Sequence, residues 1–179
     1  MYVTLVTMTN APNLDVLDAK LIALLNTEPR LGVMEYSRRL GVARGTVQAR
    51  LDKLRDRGVI SGFGPEIDPD SLGYTVTAFV TLELRQDDGH HSVSAELARI
   101  PYVLEAHTVS GSGDMLCRVV ARTNADLQRV IDQVLATPGV QRASTVIALA
   151  DRIPYRTLPL VAASANPGMK AGTNPPQPR

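Results

Sequence analysis

Leu17, Leu21, Leu24 and Leu25 recur at the i, i+4, i+7, i+8 spacing that lines one face of a helix. Asp15 stands where an N-cap is wanted and Pro29 stops the run. A second, shorter helix is predicted from Val33 to Leu40, closed by Gly41. A third is predicted from Arg44 to Arg57, with Val47, Leu51 and Leu54 on one face and Gly58 as its C-terminal stop. From Val59 to Ile67 apolar residues interleave with glycine and proline, which predicts a β-ribbon or wing. The segment 68–73 (Asp-Pro-Asp-Ser-Leu-Gly) is rich in turn formers and reads as a hinge.

Beyond the hinge the period shortens to two. Val76, Ala78, Val80, Leu82 and Leu84 alternate with Thr75, Thr77, Phe79, Thr81 and Glu83. Val93, Leu97 and Ile100 are spaced for a helix. Strands are predicted over Tyr102–Val109 and Leu116–Ala121, joined by the tight loop Ser110–Asp114. Leu127, Val130, Ile131, Val134 and Leu135 mark an amphipathic helix, Pro138 and Gly139 end it, and Val140–Leu149 reads as the last strand. The order β-α-β-β-α-β is that of two split βαβ units, which pack both helices on one face of an antiparallel sheet. The expected fold is therefore α+β, an N-terminal winged helix-turn-helix followed by a C-terminal βαββαβ ferredoxin-like domain.

The expected organisation is a flexible arm (1–13), a helix-turn-helix domain (14–67), the hinge (68–73), a βαββαβ domain (74–158), which the resemblance given below makes the ligand-sensing and oligomerisation domain, and a tail (159–179). The tail holds Pro167, Pro175, Pro176 and Pro178 and few large apolar residues, so disorder is expected there. Met8 is a second candidate start.

Composition narrows the partners. The chain has 179 residues, 44% hydrophobic and 21% charged, which suffices for one ordinary or two small packed domains. No apolar run approaches the roughly 20 residues of a membrane span, so no membrane partner is expected. The single cysteine, Cys117, excludes an intramolecular disulfide and argues for a reducing cytoplasm. The net charge of +1 conceals an asymmetry. Residues 30–57 hold eight Lys/Arg against three Asp/Glu, or +5, whereas residues 65–179 hold ten against twelve, or −2. Such a local basic footprint suits double-stranded DNA, although a solvated helix face carries the same charges.

Two helices joined through Gly41, the second basic and polar, fit a reader of the major groove. With Val47, Leu51 and Leu54 turned inward, Arg44, Thr46 and Gln48 are placed to meet base edges. Arg50 and Lys53, with Arg38 and Arg39 on the preceding helix, suit phosphates, which position a protein without reading sequence. Gly45 either permits close approach of backbone to a phosphate or merely lies in a frayed first turn.

Other chemistry is poorly supported. His90 and His91 lack cysteine neighbours and ligand spacing, so no metal is expected. Gly111-Ser112-Gly113 is followed by no Lys-Ser/Thr and opens no helix, so it is no phosphate loop. Cys117 lies in a strand pattern and reads as core. No nucleophile elbow is present, so neither an enzyme nor a cofactor is expected.

Three runs together carry a family resemblance: 14–25 (LDVLDAKLIALL) with Arg30, 41–54 (GVARGTVQARLDKL) and 58–63 (GVISGF). In this order, and ahead of a βαββαβ domain of the RAM/ACT-like kind, the chain resembles the Lrp/AsnC family of prokaryotic transcription regulators from about Leu14 to Ala150. The family often carries Ser or Thr where Ala43 stands. A lost N-cap costs about 1 kcal/mol, so the third helix is expected to fray without DNA.

The resemblance implies a homo-oligomer, dimers through the sheet joining into octamers, that binds an amino-acid effector at the dimer–dimer contacts. It points to the loop Val109, Ser110, Gly111, Asp114 and Met115, faced by Pro138, Gly139, Val140 and Thr145. Glycines let amides approach a carboxylate and Asp114 can pair with an α-amino group, while tight turns use the same residues for geometry alone. The implied function is amino-acid-responsive, sequence-specific regulation of amino-acid metabolism genes, such as that of alanine dehydrogenase, in the cytoplasm at the nucleoid. The alternative is a nucleoid-associated architectural protein with little ligand response.

Overall fold

The computed structural model describes residues 14–85 and 90–165. The expected arm (1–13) and the tail beyond Ala165 lie outside the described residues, as do the side chains of His90 and His91. The described residues divide into two compact units, one built from 14–65 together with 154–165, the other from Glu66–Ile153.

The first unit contains the three predicted helices. Helix α1 (Val16–Thr27) opens on a capping box in which Asp15 and Asp18 each accept the other's backbone N–H. Helix α2 (Val33–Leu40) ends at Gly41, whose φ of 67° is the left-handed conformation that lets the chain turn sharply into the next helix. Helix α3 (Arg44–Asp56) starts behind Ala43, which provides no side-chain cap. Leu21, Tyr36, Val47, Leu51 and Leu54 form the buried core of this unit.

Two expectations fail here. No strand forms over 59–67 among the described residues, so the head is not winged by a β-ribbon. The Val59 and Ile60 amides donate to the Leu54 carbonyl and close α3, instead of entering a ladder. Gly62, Gly64 and Pro65 then interrupt any pairing that could follow. The second failure is at the other end of the chain. Residues 158–165, placed mostly in a disordered tail, form α6 (Leu158–Ala165), which packs on α1 through Val161 and Ala165. The proline-rich composition begins only at Pro167, and the preceding Leu-Pro-Leu-Val-Ala-Ala run has both helix propensity and an apolar side to bury. Pro159 falls in the first turn, where proline is tolerated.

The second unit has the predicted βαββαβ order: β1 (Val76–Leu84), α4 (His90–Leu97), β2 (Val103–Thr108), β3 (Met115–Ala121), α5 (Asn124–Leu135) and β4 (Val140–Ile147). The sheet order is β2-β3-β1-β4 and every pairing is antiparallel. Ala78, Val80, Leu82 and Leu84 of β1 face Val93 and Leu97 of α4 and Leu127, Val130 and Val134 of α5 in one core. The other side of the sheet carries Phe79 and Val146, opposite each other in register and both exposed. Cys117 is buried in the core, which pushes its thiol up to about 11 and leaves it unreactive, in keeping with its expected role as packing.

Candidate nucleic-acid interface and effector loops

The inward face of α3 is fixed by Val47, Leu51 and Leu54, so the remaining positions are presented outward. Arg44, Gly45, Thr46, Gln48 and Lys53 are all exposed. Gly45, Thr46, Ala49 and Lys53 border a shallow open groove that also reaches Asp15 and Arg50. A β-carbon at Gly45 would meet nothing within 4 Å, so internal packing does not require glycine there. Among the described residues no carboxylate pairs with Arg44 or Lys53. The Gln48 amide donates to Asp52 one turn later at 3.0 Å, which engages one of its two N–H donors and leaves its oxygen and second donor available.

The arginines of α2 are held in exposed pairs. Arg38 donates to Glu35 at 2.6 Å, and Arg39 donates to Glu35 at 3.2 Å and to Glu28. The hydrogen bond that Arg39 donates to Glu35, then the one it donates to Glu28, raises its pKa above the ordinary value. Exposed pairs of this kind contribute little and exchange readily for a phosphate.

Arg50 departs from its expected role. Its Nη1 lies 2.6 Å from both Asp15 Oδ2 and Asp18 Oδ1. Asp18 is almost wholly buried and cannot be left unpaired cheaply. Arg50 is therefore a structural tie from α3 to the start of α1 and not a free phosphate ligand. Arg55, absent from the expected set, stacks over the Phe63 ring at 5.1 Å. Only the irregular path of 59–67 brings them together, and no local pattern announces it.

The two loops expected to hold the effector flank the C-terminal end of β1. Asp114 accepts the Leu84 amide on Oδ2 at 2.7 Å, while its own amide donates to the Leu82 carbonyl at 2.8 Å. From the other side the Gly139 carbonyl accepts the Arg85 amide at 2.9 Å, and Val140 pairs with Leu84. Val109, Ser110, Gly111 and Asp114 on one loop and Pro138, Gly139 and Val140 on the other thus converge on one strand end. Gly111 and Gly139 have φ of 135° and 93°, which other residues rarely adopt.

Two expected members do not belong to this convergence. Met115 is 2% exposed and points into the helix-covered core, as the first of the alternating inward residues of β3. Thr145 pairs with Val80, four positions back along β1, or about 13 Å away, and shares its core-facing side. Gly113, outside the expected site residues, is the more closely packed of the two loop glycines. A β-carbon there would lie 2.4 Å from Thr81 Cγ2 and 3.1 Å from the Leu82 carbonyl oxygen. Among the described residues no group of His, Cys, Asp and Glu is placed to hold a metal ion, and no helix is long and apolar enough to cross a membrane.

An exposed basic helix on a helical head, followed in the chain by a four-stranded α+β domain, is the arrangement of a DNA-binding transcription regulator. Known proteins agree. The AsnC-type helix-turn-helix domain matches residues 14–55, and the Lrp/AsnC ligand binding domain matches residues 77–158. The transcriptional regulator FL11 of Pyrococcus horikoshii is 31% identical over 82% of this chain and 97% of its own length. The structure of E. coli AsnC superposes with a TM-score of 0.75 at 27% identity, covering 82% of this chain and 99% of that one. A feast or famine regulatory protein from M. tuberculosis, complexed with L-methionine, superposes at 0.70 with 25% identity over 79% and 95% of the two chains. The chain belongs to the Lrp/AsnC family of transcription regulators. Its relatives are named regulators and not enzymes.

Proposed function

We propose that this protein is an amino-acid-responsive regulator that binds specific operators controlling amino-acid metabolism, the alanine dehydrogenase gene being one candidate target. The observation that carries the reading is the outer face of α3. Arg44 and Thr46 stand exposed in its first turn, Arg44 with no carboxylate partner among the described residues, on a helix anchored from behind by Arg50. An arginine fork suits guanine and a threonine methyl suits thymine in the major groove. Lys53, with Arg38 and Arg39, supplies the phosphate contacts.

The effector reading rests on the two loops at the end of β1. Asp114 spends one carboxylate oxygen on the Leu84 amide, which leaves Oδ1 for an α-amino group. The L-methionine complex of the M. tuberculosis relative favours an amino acid as ligand. The exposed Phe79 and Val146 on the open sheet face favour pairing of copies through that face. Dimers joining into octamers then present paired heads to a two-fold operator, in the cytoplasm at the nucleoid.

Gel shifts over a panel of amino acids test the proposal. An operator selected from a random library is expected to bind, with affinity changed by at least one amino acid. Indifference to every amino acid removes the sensing half. Equal binding to operator and random DNA at physiological salt replaces the reading by an architectural one.

A further inference from the structure

At the opposite end of the sheet from the effector loops lies a pocket of about 180 Å³. Val76, at the start of β1, pairs with Ala121, and Leu84, eight residues on, meets Asp114. The two ends are therefore about 26 Å apart along the strand. The pocket is lined by the buried Ala121 and Val130 and by Tyr74 and Tyr102. The two rings are 5.9 Å apart at 51°, so they form an angled apolar corner. Arg122 and Arg129 stand at the rim with Asp126 and Gln133.

The charges at the rim are not equivalent. Arg129 is already paired with Asp126, and Asp126 also accepts from the Thr123 hydroxyl. Arg122 has no carboxylate partner among the described residues and lies over the Tyr74 ring at 5.0 Å. Among the described residues no hydrogen bond engages the Tyr74 or Tyr102 hydroxyls or the Gln133 side-chain amide. The pocket thus offers an apolar corner, an unspent guanidinium and several unused donors. A guanidinium recognises a carboxylate by two parallel hydrogen bonds, and aromatic walls take a flat apolar body.

We propose that this pocket is a second small-molecule site, specific for small organic carboxylates with a planar apolar body. The proposal is independent of the effector reading at Asp114. Tyr74 follows directly on Gly73, the left-handed end of the hinge, and Thr75 donates to the Arg122 carbonyl at 3.4 Å. A ligand held by Tyr74 and Arg122 therefore tightens the segment through which the chain enters the sheet.

The test is titration calorimetry of the full chain with benzoate as probe. Benzoate is expected to bind saturably, one per chain, and benzamide, its uncharged counterpart, is expected not to bind. Arg122→Gln should weaken benzoate roughly tenfold or more, as loss of a charge-assisted pair does. Asp114→Asn should leave it within about twofold, since the sites are separate. The melting profile of Arg122→Gln checks that the variant is folded, as expected for an exposed side chain whose ring contact is with Tyr74 alone. Absence of saturable benzoate binding overturns the proposal. So does binding that Arg122→Gln leaves unchanged, or inorganic phosphate binding as tightly as benzoate.

Discussion

Arg50 reaches from the middle of α3 to Asp18 in the first turn of α1, with Nη1 2.6 Å from a carboxylate that is only 4% exposed. The same nitrogen lies 2.6 Å from Asp15, so one guanidinium locks both acids of the capping box. Helix α3, the proposed DNA reader, is thereby fixed to the helix behind it by a tie that spans more than thirty residues of sequence.

Removing that tie strands a buried charge. Arg50→Ala is expected to lower the stability of the head by about 2 kcal/mol, read by urea unfolding of the full chain. The salt dependence of DNA binding should keep its slope, because Arg50 makes no phosphate contact in this account.

Acid should loosen the same joint. The Asp18 amide, then Arg50, holds the Asp15 carboxyl below its ordinary value of 3.8. A depressed carboxylate contributes stability that is fully present above its unfolded pKa and fades as pH falls through the folded one. The head should therefore be insensitive to Asp15 near neutrality and lose its contribution as pH drops below 3.8. Asp15→Asn should flatten that acid limb in thermal melts taken across the range.

Ala43 leaves α3 without a side-chain cap. Ala43→Ser supplies an oxygen for the first-turn amides and is expected to stabilise the head by about 1 kcal/mol. Amide hydrogen exchange at the start of α3 should slow in the variant and stay fast in the parent.

Gly113→Ala forces a methyl to within 2.4 Å of Thr81 and 3.1 Å of the Leu82 carbonyl. Since Asp114 bonds both Leu82 and Leu84, any shift at 113 moves the effector loop. A destabilisation of about 1–3 kcal/mol is expected, with loss of the amino-acid response in gel shifts. A variant as stable and responsive as the parent would remove Gly113 from the site.

Legibility in the sequence followed the range of the interaction. The three head helices and the βαββαβ order come from periodicity, which is local, and they agree with the structure to within a few residues. Helix α6 was hidden because composition was averaged over a tail whose first third differs from the rest. Arg50 could not be separated from its cationic neighbours, because its partners lie in another helix. Gly113 is constrained by β1, again a tertiary relation. Met115 is different. The alternation Met115, Cys117, Val119, Ala121 already assigns it to the core, and the family resemblance overrode that signal.

The central claim is that the outer face of α3 reads base sequence, and competition gel shifts of Arg44→Ala against a library-selected operator test it most directly. The discrimination between operator and random DNA should fall roughly tenfold or more, the worth of one arginine–guanine pair. Lys53→Ala, as the control, should weaken both DNAs alike and reduce the salt slope by about 1. An unchanged discrimination ratio in Arg44→Ala contradicts the account.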